Sequence, residues 1–358
     1  MNGAFIIAAR RSAVMPLGGA FSALQMHEMA APVMRACLAD AGIAAEQVDE
    51  VILSNALGAG GNPARVAALA AGLPERVAGL SLDRQCAGGL DAVILARALV
   101  ESGAADAVLA GGAESYSRRP LRFRTDPEGG PAVAYDAPPF TPWPERDPDM
   151  HAAAAALAMQ LGIDRVAQDD FAVASHAKAM SADHPEIVAI NGCARDGFTR
   201  ALTPGLAARA RVIHGTITAA NAAVAADGAA FCLVVSRRFA ARAAHALHIR
   251  AGATLGASPE EPGLAPLGAI ARVLSPRPLL AQAEIMEAYA VQAMACIQGA
   301  GLDPALVNLG GGALARGHPV GASGAVLVAR MFADLTQGAG LCAIAAAGGI
   351  GSALLVEV

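Results

Sequence analysis

Charge is scarce in this chain of 358 residues: Asp, Glu, Lys and Arg together make up 16%, against 55% hydrophobic residues. Long apolar runs are scarce as well. No window of about 18 apolar residues is free of Gly, charge or polar breaks, which excludes a conventional membrane span. The hydrophobic excess is alanine spread along the chain, and the Ala152–Ala158 run is too short to cross a bilayer and reads as a closely packed helix. Near the start, Arg10 and Arg11 follow the apolar stretch Phe5–Ala9 instead of preceding it. That is the reverse of a secretory signal, so a first β-strand is expected there. A basic stripe is also missing. The net charge is −5 and the pI about 5.9, which argues against nucleic acid as a partner. The six cysteines (Cys37, Cys86, Cys193, Cys232, Cys296, Cys342) lack the paired spacing of a zinc site or a disulfide framework. No metal is therefore expected, and a reducing cytoplasm is the expected compartment.

What is present is an alternation of short apolar runs with amphipathic ones. Phe5–Ala8, Glu50–Ser54, Leu80–Asp83 and Ala107–Ala110 read as strands; Ala30–Ala41, Pro63–Ala71 and Gly89–Ser102 read as helices. The same grammar returns after about residue 240. Ile249–Leu255 is expected extended, Glu284–Gly299 helical, Leu306–Leu309 extended, Gly324–Leu335 helical, and Cys342–Ala346 and Ser352–Val356 extended. Such alternation predicts α/β architecture with a mainly parallel, covered sheet. Its return suggests an internal duplication in pattern, although the letters do not repeat. Between the halves, Pro120, Pro127, Pro131, Pro138, Pro139, Pro142, Pro144 and Pro148 force an irregular stretch. A helical region from His151 to about Met180 follows, with Asp164 or Asp169 as candidate cap residues.

Two turns carry chemistry. Cys86 stands in Asp83-Arg-Gln-Cys86-Ala-Gly-Gly89, at a predicted helix start, where the helix dipole favours thiolate. His318 stands in Arg316-Gly-His318-Pro-Val-Gly-Ala-Ser-Gly324, where glycines allow close approach. A Cys–His pair of this kind points to covalent acyl chemistry, with Cys86 attacking and His318 activating it and binding the oxyanion. Alone, Cys86 reads more readily as a buried structural thiol. The other histidines read as helix or surface residues, His151 as the start of an Ala-rich helix. Gly310-Gly311-Gly312 lacks the Lys and Ser/Thr of a phosphate-binding P-loop. Glu287 either orients His318 or binds a backbone N–H. Arg118, Arg119, Arg122 and Arg124 read as a solvated face, a contact for a ligand phosphate or an oligomer contact.

Taken together, these segments resemble the thiolase family of acyl-CoA enzymes. The resemblance runs through Gly61–Pro74, Cys86, Ala110–Ser117, Gln168–His176, Gly215–Asn221, Asp227–Ala230, Glu287–Tyr289, Asn308–Ala313, Gly317–Pro319 and Gly348–Gly351. It implies duplicated α/β halves in a five-layer αβαβα core with an inserted loop domain. The implied boundaries are residues 1–118 plus 224–240 for the N-terminal half, 119–223 for the insert and 241–358 for the C-terminal half. It also implies a CoA thioester as substrate with no permanently bound cofactor, and a homodimer or dimer of dimers. Cys86 and His318 are the implied catalytic residues, and His151 falls on a segment that lines the family's pocket, which makes approach to the site the alternative to its helix-start reading. Ala219, Ala223, Met286, Ala345, Gly348 and Gly349 are the implied substrate-binding positions, and Gly348 and Gly349 are expected to offer N–H groups to the thioester oxygen.

The departures from the family pattern matter equally. Ala345 stands where the family has its second catalytic cysteine, Met286 where it has a water-holding asparagine, and Ala223 where it has a serine. The stretch the family writes Asn-Glu-Ala-Phe is Met286-Glu-Ala-Tyr289 here. Cys342, three residues before Ala345, should face the other side of an extended strand. The expectation is an acyltransferase that acylates Cys86 but is impaired in ordinary thiolysis or Claisen condensation. The alternatives are a non-catalytic thiolase-like subunit that binds acyl-CoA, and a thioester hydrolase.

Overall fold

The computed structural model describes residues 3–58 and 60–358. Nine strands carry the architecture: Ala4–Ser12 (β1), Glu50–Ser54 (β2), Leu80–Leu82 (β3), Ala107–Glu114 (β4), Ala226–Ser236 (β5), Leu247–Gly256 (β6), Leu280–Ile285 (β7), Ala339–Ala346 (β8) and Ile350–Glu357 (β9). They lie in the order β7-β8-β9-β6-β1-β5-β4-β2-β3. The duplication is visible in the pairing. In the first half β2 runs parallel to β4, β4 antiparallel to β5, and β5 antiparallel to β1. In the second, β7 runs parallel to β8, β8 antiparallel to β9, and β9 antiparallel to β6. The halves meet where β1 and β6 pair through Phe5 with His248 and Ile6 with Leu247.

Three apolar cores separate five layers. Helices Met26–Ala41 (α1) and Pro63–Ala70 (α2) cover one outer face, where Met29, Val33, Met34 and Ala67 pack with Leu53, Leu109, Phe231 and Leu233 of the sheet. Gly88–Ser102 (α3) and, far downstream, Ser323–Asp334 (here α8) lie between the halves. Their Leu90, Val93, Leu327 and Val328 share a core with Ile6, Val108, Val234, Ile249, Ile344 and Leu354. Pro266–Val273 (α6) and Ala290–Gly299 (α7) cover the other outer face, with Ile270, Cys296 and Ile297 against Leu341, Ala343 and Leu355. Strand β5 explains how the layers hold. Phe231, Leu233 and Val235 face the outer core while Cys232 and Val234 face the middle one, the period of two that a strand covered on both faces requires.

The two central helices start almost in contact. A Cβ on Gly324 would fall 2.3 Å from the Leu90 nitrogen, and one on Gly89 2.8 Å from the Ala325 nitrogen. Only glycine permits this approach, and it brings the turns before the two helices together.

Sequence expectation and structure differ in places. The sheet is mixed and not mainly parallel: of the eight neighbouring pairs among the nine strands, five are antiparallel and three parallel. Glu284 and Ile285 end β7, so the helix expected from Glu284 begins only at Ala290. Leu306–Leu309 forms no strand and joins the sheet by one parallel bridge, Val307 to Ala283. It is the reduced counterpart of β3. The proline-rich stretch holds a short hairpin, Arg122–Arg124 with Val133–Tyr135. The helical region splits into Met150–Leu161 (α4) and Arg165–Ser181 (α5), capped by Asp149 and Asp164 respectively, and not by Asp169.

Candidate active site

Cys86 lies in a short turn, Gln85–Ala87, that leads into α3. The turn is tight because Gln85 adopts a φ of 49°, a left-handed conformation that costs a non-glycine residue about 1 kcal/mol or more. Asp83 Oδ1 stabilises it by accepting from the Gln85 N–H at 2.8 Å. His318 is positioned by its own backbone, whose N–H donates to Val224 O at 2.8 Å. The two side chains meet, with His318 Nε2 3.1 Å from Cys86 Sγ.

The hydrogen-bond chain behind His318 selects its tautomer. Ser323 Oγ lies 2.6 Å from His318 Nδ1 and donates to Pro319 O at 3.3 Å. A hydroxyl has one proton. With that proton on Pro319 O, Ser323 accepts from Nδ1–H, and the Nε2 lone pair is left facing the Cys86 thiol.

Burial sets the charge state. It pushes the Cys86 thiol up to about 12, with Glu114 and Asp83 adding to the rise. It pushes the His318 imidazole down to about 4. The thiolate expected from the helix dipole is therefore not the resting form, because desolvation outweighs the dipole here. Two backbone N–H groups, those of Cys86 and Ala347, act in the opposite direction and favour charge on the sulfur. Glu114 braces this centre. Fully buried, it accepts from the N–H groups of Ala56 at 2.9 Å and Gly321 at 3.0 Å, tying the Cys86 half to the His318 half.

A cavity of about 510 Å³ opens over the pair. Among the expected positions, Cys86, His318, Ala223 and Ala345 line it. Four others do not. Met286 is 1% exposed, packs in the middle core against which Cys86 and Ala223 also rest, and so supplies no group to the lining. Ala219 is held in a turn by its N–H to Arg211 O at 2.9 Å and lies outside the lining. Gly348 and Gly349 have φ of 77° and 73°. They serve the turn, and a Cβ on Gly349 would meet Ser258 O at 2.5 Å. The N–H that faces the sulfur belongs to Ala347, one residue earlier. Cys342 is buried in the middle core and is absent from the lining. Glu287 does not touch His318; it accepts from Ser175 Oγ at 2.7 Å, Asn308 Nδ2 at 2.7 Å and Leu314 N at 3.2 Å.

Two further residues line the cavity. His151, read first as a helix start with approach to the site as the alternative, faces it beside Tyr289. Arg122, from the basic cluster, lines it too, and its Nη2 donates to Ala56 O at 3.1 Å. Among the described residues, no group of three or more His, Cys, Asp or Glu could hold a metal ion. Nor is any described helix long and apolar enough to cross a membrane.

Comparison with known proteins gives the same architecture. The family model for the N-terminal domain of thiolase matches residues 4–238, and that for the C-terminal domain matches residues 244–358. A Bacillus subtilis protein named "Putative acetyl-CoA C-acetyltransferase YhfS" is 38% identical, with 99% of each chain covered. Of solved structures, the Bacillus anthracis acetyl-CoA acetyltransferase superposes with a TM-score of 0.90 at 29% identity, covering 100% of this chain and 99% of that one. The Acat5 thiolase from Ascaris suum, solved in complex with coenzyme A, gives 0.91 at 27% identity, covering 99% of each. With both family models matched end to end across the fold described above, this chain belongs to the thiolase family.

Proposed function

We propose that the protein is a thiolase-like acyltransferase that forms an acyl-cysteine on Cys86 from an acyl-CoA, resembling the acetyl-CoA acetyltransferases to which it is similar. The observation that carries this reading is the 3.1 Å Cys86–His318 contact at a cavity of about 510 Å³. Attack begins from the neutral pair. The Sγ–H proton moves to Nε2 as sulfur bonds to the thioester carbonyl, and Ser323 then supports an imidazolium. The N–H groups of Cys86 and Ala347 stabilise the oxyanion. When the carbonyl re-forms, the bond to CoA sulfur breaks and that sulfur takes the proton from His318.

The second half-reaction is weakened. Ala345 presents a methyl group where the family has an acid/base thiol, a loss worth about 10²–10⁴ in rate. Carbon–carbon cleavage or formation is therefore slow compared with a chain that has that thiol. CoA serves as a substrate portion and not as a resident cofactor. We further propose the division into residues 1–118 plus 224–240, the insert 119–223 and 241–358, a homodimeric or dimer-of-dimers assembly, and a cytoplasmic location.

The test is intact-protein mass spectrometry after incubation with a panel of acyl-CoAs. A single acyl adduct that disappears in Cys86→Ala supports the reading and identifies the acyl group. Absence of any adduct supports the non-catalytic binding subunit instead, and an adduct that discharges rapidly to water supports the hydrolase.

A further inference from the structure

Against the family's stretch, this chain loses polar groups at Met286, Ala345 and Ala223 and gains one: the hydroxyl of Tyr289, where the family has phenylalanine. That added oxygen is not idle. It lies 3.0 Å from His151 Nδ1, and the two rings meet edge to face with centroids 5.6 Å apart at 89°. Both residues line the cavity that holds Cys86, His318 and Ala345. Each comes from a different element, and each is fixed. His151 opens α4, where Asp149 Oδ1 accepts from its backbone N–H at 2.9 Å. Tyr289 immediately precedes α7, and Ala288 O accepts from Ala223 N at 2.9 Å, fastening that segment to the cavity wall.

We propose that Tyr289 and His151 form a proton relay that replaces the missing thiol at position 345 in the second half-reaction. This rests on the reading of Cys86 as the acylated nucleophile. The acceptor is a CoA thioester with an acidic α-carbon. Tyr289 Oη takes the α-proton while its own proton passes to His151 Nδ1. The acceptor's C–H bond breaks, and its electron pair attacks the carbonyl of acyl-Cys86. The acyl–sulfur bond breaks and Cys86 leaves as thiolate. Its charge is balanced by the proton stored on His151, and return of that proton restores the resting state. Tyr289 is the catalytic residue of this step; His151 acts through it. Burial holds the Tyr289 phenol above its usual range, and charge on Cys86 adds to the rise. The phenol therefore stays protonated at rest and conducts a proton without storing a charge.

The experiment follows deuterium entry from D₂O into the methyl group of acetyl-CoA, by mass spectrometry, with the full-length chain. Exchange reports α-proton removal without requiring product formation. Wild type is expected to exchange, and Tyr289→Phe and His151→Asn to do so about 10²-fold more slowly per unit of acyl-Cys86 formed, the acyl-enzyme being read from the intact mass of each variant. Asparagine offers an acceptor near the Nδ1 position but no basic ring, so exchange at the wild-type rate in His151→Asn would reduce the pair to a structural hydrogen bond and overturn the relay. Ala345→Cys in the Tyr289→Phe background is expected to restore exchange, because a thiol then supplies the missing base. If Tyr289→Phe does not fold, the His151→Asn pair of measurements decides alone. Acyl-Cys86 without wild-type exchange overturns the relay and leaves the acyl-enzyme standing. Exchange without acyl-Cys86 does the reverse, removing the acyl-enzyme while α-proton removal by the pair survives.

Discussion

Ser323→Ala tests the tautomer argument directly. On the tautomer argued above, with the Ser323 proton directed to Pro319 O, Ser323 Oγ, 2.6 Å from His318 Nδ1, accepts from the neutral ring in the resting state. Once the thiol proton has moved to Nε2, the same bond is made to an imidazolium. A neutral hydrogen bond is worth about 0.5–1.5 kcal/mol net and one to a charged group about 1.5–3 kcal/mol. Only the difference, about 1–1.5 kcal/mol, accelerates acylation, and at about 1.4 kcal/mol per decade that predicts a 5- to 10-fold slower rate. Loss of tautomer control adds to the effect, because Nε2–H facing the thiol cannot accept its proton. The assay is rapid-quench acylation from acetyl-CoA followed by intact mass, with His318→Ala as the lower reference. Thermal unfolding should change by no more than the neutral bond. A Ser323→Ala rate equal to wild type would refute the reasoning, since His318 would then be activated without its Nδ1 partner.

Other outcomes follow from the same geometry. Ala345→Cys should raise acetoacetyl-CoA thiolysis at least 10-fold in a steady-state assay, because it adds a thiol at a lining position; Met286→Asn should add nothing and should cost about 2–4 kcal/mol in urea unfolding, because it buries an amide in an apolar core. Limiting iodoacetamide should label Cys86 and the half-buried Cys193 but not the four buried cysteines, and acetyl-CoA should protect Cys86 alone, as read by peptide mapping. Glu284 is held up at about 7 by burial. Its folded-state value lies above the unfolded one near 4.3, so the native state binds the extra proton and the carboxyl costs stability as pH rises through that window. The stability of Glu284→Gln relative to wild type should therefore improve between about pH 4.5 and 7, by an amount on the order of 3 kcal/mol; a flat difference curve from urea unfolding at several pH values would count against that burial.

The duplicated α/β grammar was legible because strand and helix periods differ and both halves repeat them. What escaped has a physical cause in each case. Strand β5 is covered on both faces, so its run of apolar letters offers no alternation to read. The stretch Glu284–Gly299 contains the end of a strand and a helix, and Met286 between them is compatible with either. The counterpart of β3 survives only as the Val307 bridge, too little to signal an extended segment. Cys86 and His318 could be singled out because each stands among glycines whose absence of side chain has a use: Gly89 and Gly324 let two helices start within backbone contact. Their charge state could not be, because it depends on desolvation by segments distant in the chain, and desolvation overturned the helix-dipole expectation.

The site positions divide along the same line. Ala223 and Ala345 keep their place at the cavity because each sits on backbone that the fold fixes, on the Ala288 contact and on β8. Met286 does not, because its apolar side chain is buried in the middle core. An alanine at the cavity wall leaves the lining in place, whereas a large apolar side chain gains more from burial than from facing the cavity. The same logic runs in the other direction for Tyr289. Adding a hydroxyl to a ring already packed at the cavity wall keeps the ring's apolar contacts and requires only that the new oxygen find a partner. His151, on α4, supplies it at 3.0 Å. The hydroxyl–imidazole pair of Tyr289 and His151 lines the same cavity as Ala345, and it is there that the proposed relay should be sought.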